Sequence, residues 1–239
     1  MQSFDAPRAL VQLPDFFERA PVVRLRDPLA ALLGASRDGL LEYRYADAVR
    51  LAGHSCPTVA GAFLMGRAAL AALYPGDLAE RGGIAVRMPA PEDHGTTGVI
   101  AQVLTLLTGA AASNGFHGIG GRYMRRGLLT FAEHPEGEAI SFRRFDTGAE
   151  VLADINVSPV PGDPAQRERL VAILQDRANV AVRDAFAGAW QERVRRLLLD
   201  FADDPGVIRV MRIDPAEPAD RCAAAPGQVP PARSMPPRH

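Results

Sequence analysis

His54 and Cys56 stand two residues apart in Gly53-His54-Ser55-Cys56-Pro57-Thr58, which puts an imidazole and a thiol where a helix should begin. Proline suits the first helical position, because its missing N–H would be unpaired there. Cys56 then falls at the N-cap, in the positive field of the helix N-terminus, which favours thiolate over thiol. Imidazole nitrogen and thiolate sulfur suit a divalent transition metal, zinc foremost, with nickel or iron as alternatives. The same pair suits nucleophilic chemistry without metal, His54 taking the proton of Cys56 for acyl transfer. Against both stands the plainer reading of a buried cysteine and a histidine satisfied in the core.

Two donors do not complete a metal site. His94 and His117 are the candidates for further ligands. Glu92-Asp93-His94 follows an apolar strand, and strand ends commonly carry sites. Glu92 or Asp93 beside a metal-bound water would serve as general base, with Cys56 as the third candidate catalytic group. The alternative is a solvated turn before a helix, with Thr96 or Thr97 as its N-cap. His117 lies in Asn114-Gly115-Phe116-His117-Gly118-Ile119-Gly120-Gly121-Arg122. Glycines there let backbone N–H groups approach an anion, and Arg122 adds charge, so His117 and Arg122 are candidate cofactor-binding residues. No Gly-Lys-Ser/Thr follows and no strand immediately precedes, so this is neither a nucleotide-binding P-loop nor a dinucleotide fingerprint. A flexible connection is the alternative. Trp190, at helical spacing, reads as core or dimer interface.

The elements that must position these groups follow from periodicity. After Cys56, Val59, Phe63, Arg67, Leu70 and Tyr74 recur at three and four, predicting a helix from Pro57 to about Leu73. Its many Ala and Gly residues predict close packing against a sheet or another helix. Asp27 with Pro28 predicts a short helix ending at Gly34, and Tyr45–Leu51 predicts another. Gly83–Met88 alternates as a strand, and Val99–Leu107 is an apolar helix. Leu128–Phe131 and Ala139–Phe145 read as an antiparallel pair around Pro135-Glu136-Gly137. Val151–Val157 and Val207–Ile213 read as further strands. Pro164–Asp200 reads as mostly helix, with Gly188 a weak point. These elements predict an α+β fold, a mixed and largely antiparallel sheet packed with helices. The expected organisation is a lead-in over 1–40, a core domain over 41–160, a helical extension with the last strand over 161–213, and a disordered tail over 214–239.

Composition narrows the function classes. Hydrophobic residues make up 47% of 239, enough for a substantial core. The 27 basic residues, all arginine, against 28 acidic ones leave a formal charge of −1, which predicts neither nucleic acid nor an anionic membrane as partner. Cys56 and Cys222 make no secreted disulfide framework, and no signal peptide or spanning segment is visible. The expectation is a cytoplasmic protein. The apolar C-terminal helix and the small-residue helix predict a homodimer.

The order of motifs from Tyr45 to Phe145 resembles the FmdE-like family, named for a component of molybdenum formylmethanofuran dehydrogenase. The residues that carry it are Gly53-His54-Ser55-Cys56-Pro57, the helix with Gly61 and Gly66, a strand ending in an acidic pair, Gly98–Thr105 with Thr108-Gly109, a Gly-rich loop and Leu129-Thr130-Phe131. The resemblance implies an α+β domain with a metal, often zinc, near His54 and Cys56. It also matches Glu92 and Gln102 to an acidic residue and a glutamine of the family. Where many members carry a second histidine this chain has Ala52, and where many carry a further cysteine it has Thr96 and Thr97. The leading expectation is a metal-dependent enzyme, a hydrolase or an oxidoreductase, acting on a small molecule. Redox chemistry would need a metal other than zinc, or haem. The alternatives are a non-catalytic metal or cofactor carrier linked to a molybdenum enzyme, and a metal-free thiol enzyme.

Overall fold

Leu25, flanked by Arg24 and Arg26, is the centre of a small sheet that sequence periodicity does not reveal. The computed structural model describes residues 12–213. A 3-10 turn over Asp15–Arg19 leads into β1 (Val23–Arg26), α1 (Pro28–Leu32), β2 (Leu40–Tyr43), α2 (Tyr45–Ala52), α3 (Pro57–Leu73) and β3 (Ala79–Glu80). β1 pairs antiparallel with β2 and parallel with β3, giving the order β2-β1-β3.

The larger sheet contains β4 (Ile84–Met88), β5 (Leu129–Phe131), β6 (Ile140–Arg144), β7 (Glu150–Ile155) and β8 (Ile208–Ile213), in the order β5-β4-β6-β7-β8. β4 and β5 are parallel and the other three pairs antiparallel. With helices packed on the sheets, the fold is α+β and the large sheet is mixed and largely antiparallel, as expected. One pairing differs from the sequence reading. β5 and β6 do not pair with each other, because β4 lies between them. The 132–139 connection is tied to β4 instead: Glu136 N–H donates to the Pro89 carbonyl at 2.8 Å, and Arg87 Nη2 donates to Glu136 Oε2 at 2.6 Å.

α3 forms where Cys-Pro and the three-four spacing place it, and it is the hub of the core. It packs on α2, α4 (Thr97–Thr108), α6 (Val180–Leu199), β7 and β8. Its small residues permit that approach. A Cβ at Gly61 would come within 2.2 Å of Ile155 in β7, and one at Gly66 within 2.7 Å of Leu107 in α4. The small face of α3 is therefore used within the chain.

The long C-terminal helix is two helices. α5 (Gln166–Leu174) ends at Gln175, Asp176 takes a φ of 53°, and Asn179 caps α6 by accepting from Val182 N–H at 3.0 Å. Gly188 leaves α6 unbroken. One buried cluster runs from Phe16 and Phe17 through α3 and the large sheet to Val194, Leu197 and Leu198. The expected tail over 214–239 lies outside the described residues, as do Cys222 and His239.

Candidate functional site

Cys56 is the N-cap of α3, as its position before Pro57 predicts. Its Sγ accepts a hydrogen bond from Val59 N–H at 3.4 Å, and the residue is 8% exposed. A sulfur acceptor at this position occupies one of the helix's free N–H groups, as a serine or aspartate would. His54 is exposed. Its Nδ1 lies 3.0 Å from the Ala52 carbonyl. A carbonyl only accepts, so Nδ1 carries a proton, and in the tautomer this selects the lone pair lies on Nε2. Orientation of one imidazole nitrogen by a carbonyl is how proteins prepare the other nitrogen for a metal. The orienting carbonyl belongs to Ala52, the position at which the family resemblance leads one to look for a second histidine.

Ser55, between them, makes a set of contacts that the sequence does not reveal. Its carbonyl accepts from Trp190 Nε1 at 3.0 Å and from Gln191 Nε2 at 3.3 Å. Its hydroxyl donates to Gln191 Oε1 at 3.0 Å and lies 2.9 Å from the Tyr45 hydroxyl, which is left to donate to it. α2 and α6 thus hold the His-Ser-Cys loop from two sides. Tyr45 is fully buried, against Phe17 at 4.8 Å and Phe63 at 6.0 Å between ring centroids. Burial pushes its phenol above the ordinary value, more than the Ser55 hydrogen bond pulls it down, so it serves as a neutral donor. Trp190 offered the only sequence signal of this clasp; its partner lies 135 positions away.

Removing the Tyr45 hydroxyl tests the clasp. Tyr45→Phe keeps the packing and leaves Ser55 bonded to Gln191, so we expect a loss of about 0.5–1.5 kcal/mol in urea unfolding. Trypsin should cleave more readily at Arg50, next to the loosened loop.

The other predicted residues are distributed elsewhere. Glu92, Asp93 and His94 are exposed in the turn before α4, where Thr97 N–H donates to the His94 carbonyl at 3.0 Å. Thr96 is the N-cap but makes no side-chain capping bond. Glu92 and Gln102 line a cavity of about 310 Å³ with Leu51, Arg81, Asn114 and Phe131; His54, Cys56, Asp93 and His94 do not line it. His117 is exposed in the Gly-rich loop. Arg122 closes that loop, its N–H and carbonyl both paired with Ile119, and it lines a second cavity, of about 380 Å³. Among the described residues no three His, Cys, Asp or Glu side chains lie close enough to share a metal ion. The structure therefore brings neither His94 nor His117 to His54 and Cys56 as a third ligand.

Arg81 lies between the two cavities and lines both. It belongs to a buried ionic cluster absent from the sequence reading. Asp27, 3% exposed, accepts from Arg81 Nη1 at 2.9 Å and from Arg125 Nη2 at 2.7 Å. It also caps α1 through Leu29 and Ala30 N–H. Burial alone would raise the Asp27 carboxyl. The Arg81 hydrogen bond, the Arg125 charge and the Ala30 N–H outweigh it and hold the group below its ordinary range. Arg125 is buried.

No family model matches the chain, and no curated protein matches it. Among solved structures it is similar to a tungsten formylmethanofuran dehydrogenase FmdE-like protein from Syntrophus aciditrophicus. The match covers 74% of each chain, with 19% identity and a TM-score of 0.38. An overlap of that quality assigns no role to any residue of this chain. No described helix is long and apolar enough to cross a membrane.

Proposed function

We propose that this chain is a metal-binding protein, acting on a small molecule at a divalent metal held in part by His54 and Cys56. The observation that carries the reading is the His54 ring, with Nδ1 occupied by the Ala52 carbonyl and Nε2 free, two residues from a thiol at a helix N-cap. One sulfur and one imidazole nitrogen suit zinc in ligand type. A closed four-ligand site does not assemble from the described residues. The pair therefore fits a partial site, whose remaining positions belong to solvent, substrate or donors from outside this set. A carrier would need a closed shell, and an enzyme a position left for water or substrate.

A metal bound there would polarise a substrate oxygen or acidify a water. The chain's own residues do the rest. The Ala52 carbonyl fixes the His54 tautomer, and Tyr45, Trp190 and Gln191 fix the loop through Ser55. Glu92 and Gln102 line the 310 Å³ cavity, which His54 and Cys56 do not line, so neither is assigned a part at the metal.

The N-cap position of Cys56 also favours a second reading, thiol chemistry without metal. Chelation separates the two. Under the metal reading, elemental analysis finds stoichiometric metal in wild type and less than a tenth of it in His54→Ala and Cys56→Ala, and dialysis against chelator removes it. Equal metal in all three proteins would defeat the metal reading. Metal-free wild type whose activity survives chelation but not alkylation of Cys56 would establish the thiol reading.

A further inference from the structure

We propose that the 380 Å³ cavity beside the buried Asp27 cluster binds the phosphate group of a small molecule, with Arg122 and Arg125 as its recognition residues. Arg81, Arg122, Arg125, Glu80 and Tyr123 contribute to its wall. Three guanidinium groups there face two carboxylates, Glu80 in the wall and Asp27 behind it, which leaves one positive charge uncompensated.

The arginines are not equally occupied. Arg81 spends its donors on Asp27 and on the carbonyls of Leu106 and Thr105. Arg125 gives Nη2 to Asp27, while its Nε is buried with no partner. A buried guanidinium donor without an acceptor is rare in folded proteins. The guanidinium reaches this place because residue 82 is glycine: a Cβ there would lie 1.2 Å from Arg125 Nη1. Arg122 is exposed, makes no ion pair among the described residues, and rests over the Tyr123 ring at 5.2 Å. It stands at the end of the Gly-rich loop, held there by the paired Ile119 backbone.

The exposed Arg122 guanidinium, in a wall with a net positive charge to which the buried Arg125 contributes, matches a tetrahedral oxyanion, whose several oxygens accept forked N–H pairs. The volume exceeds that of phosphate, leaving room for the rest of a small phosphorylated molecule.

Isothermal titration calorimetry of the full chain tests this, with inorganic phosphate and glycerol phosphate as probes against sodium chloride of equal ionic strength. We expect saturable one-to-one binding of at least one probe, at least tenfold weaker in Arg122→Gln. Arg126→Gln removes a neighbouring exposed arginine that does not line the cavity and should keep wild-type affinity. Tighter binding of the monoester identifies a phosphorylated molecule as ligand; equal binding identifies the free anion. Melting without ligand checks that both variants fold. Should Arg122→Gln not fold, Arg122→Lys replaces it: it keeps the charge without the fork and should bind more weakly than wild type. Absence of saturable binding to wild type overturns the proposal, as does equal weakening in the Arg122 and Arg126 variants, which would mark diffuse charge attraction.

Discussion

Asp27→Asn should destabilise the protein by about 3–5 kcal/mol, the range found when one partner of a buried ion pair is removed. The substitution keeps the side-chain shape and one oxygen for the Leu29 and Ala30 N–H groups. It removes the charge shared by Arg81 and Arg125, whose side chains are 20% and 7% exposed. The new amide also turns N–H donors toward guanidinium donors. Urea unfolding at neutral pH measures the loss. Its pH dependence gives a second check. The folded carboxyl is held below its ordinary value, so the unfolded chain binds the proton more readily. The Asp27 contribution is therefore complete above about pH 4 and is lost as pH falls toward the folded value. The gap between wild type and Asp27→Asn should be constant at neutral pH and narrow in acid. A gap below 1 kcal/mol at pH 7 would mean that the cluster is solvated.

Phe63→Ala should cost a similar amount, about 3–5 kcal/mol, as deletion of a fully buried phenyl ring does elsewhere. Phe63 lies on α3 with no exposed surface, edge-on to Tyr45, which is edge-on to Phe17. The cavity would open beneath Tyr45, whose hydroxyl holds Ser55. In a chain of this size the melting temperature should fall by roughly 6–20 °C. Phe63→Leu, which fills most of the space, should lose less than half as much. Tyr45→Phe in the Phe63→Ala background should then cost less than it does alone, because a mobile ring no longer fixes the hydroxyl; additive losses would show that packing and clasp are independent.

How far the sequence reveals this molecule depends on the range of the interactions involved. Cys56-Pro57 and the three-four spacing through Tyr74 specify α3 and its cap locally, and both are found as read. Asn179 before Val180 carries an equally local capping signal, but the apolar stripe on either side hides the break at Asp176. β1 and β2 are four residues each, with charged residues between apolar ones, and β1 gains a parallel partner across more than fifty positions. A three-residue β5 states that it is a strand but not which neighbour it takes. The turn residues at 135–137 implied a hairpin, whereas Glu136 is bound to β4.

The candidate site divides in the same way. The His54–Cys56 pair is a local signal. The residues that hold its loop, Trp190 and Gln191, lie 135 and 136 positions from Ser55, and Asp27 lies 98 positions from Arg125. Arg125 could not be separated from Arg126 by residue type. Only the fold shows one buried and the other exposed.

The central claim is that His54 and Cys56 bind a metal together, and cobalt titration followed by absorption spectroscopy tests it most directly. Wild type should develop thiolate-to-cobalt charge-transfer bands that saturate at one equivalent per chain or at a simple fraction of it. Cys56→Ala should abolish those bands, and His54→Ala should weaken binding by at least tenfold. Charge-transfer bands that persist unchanged in Cys56→Ala, or their absence from wild type, would contradict the account.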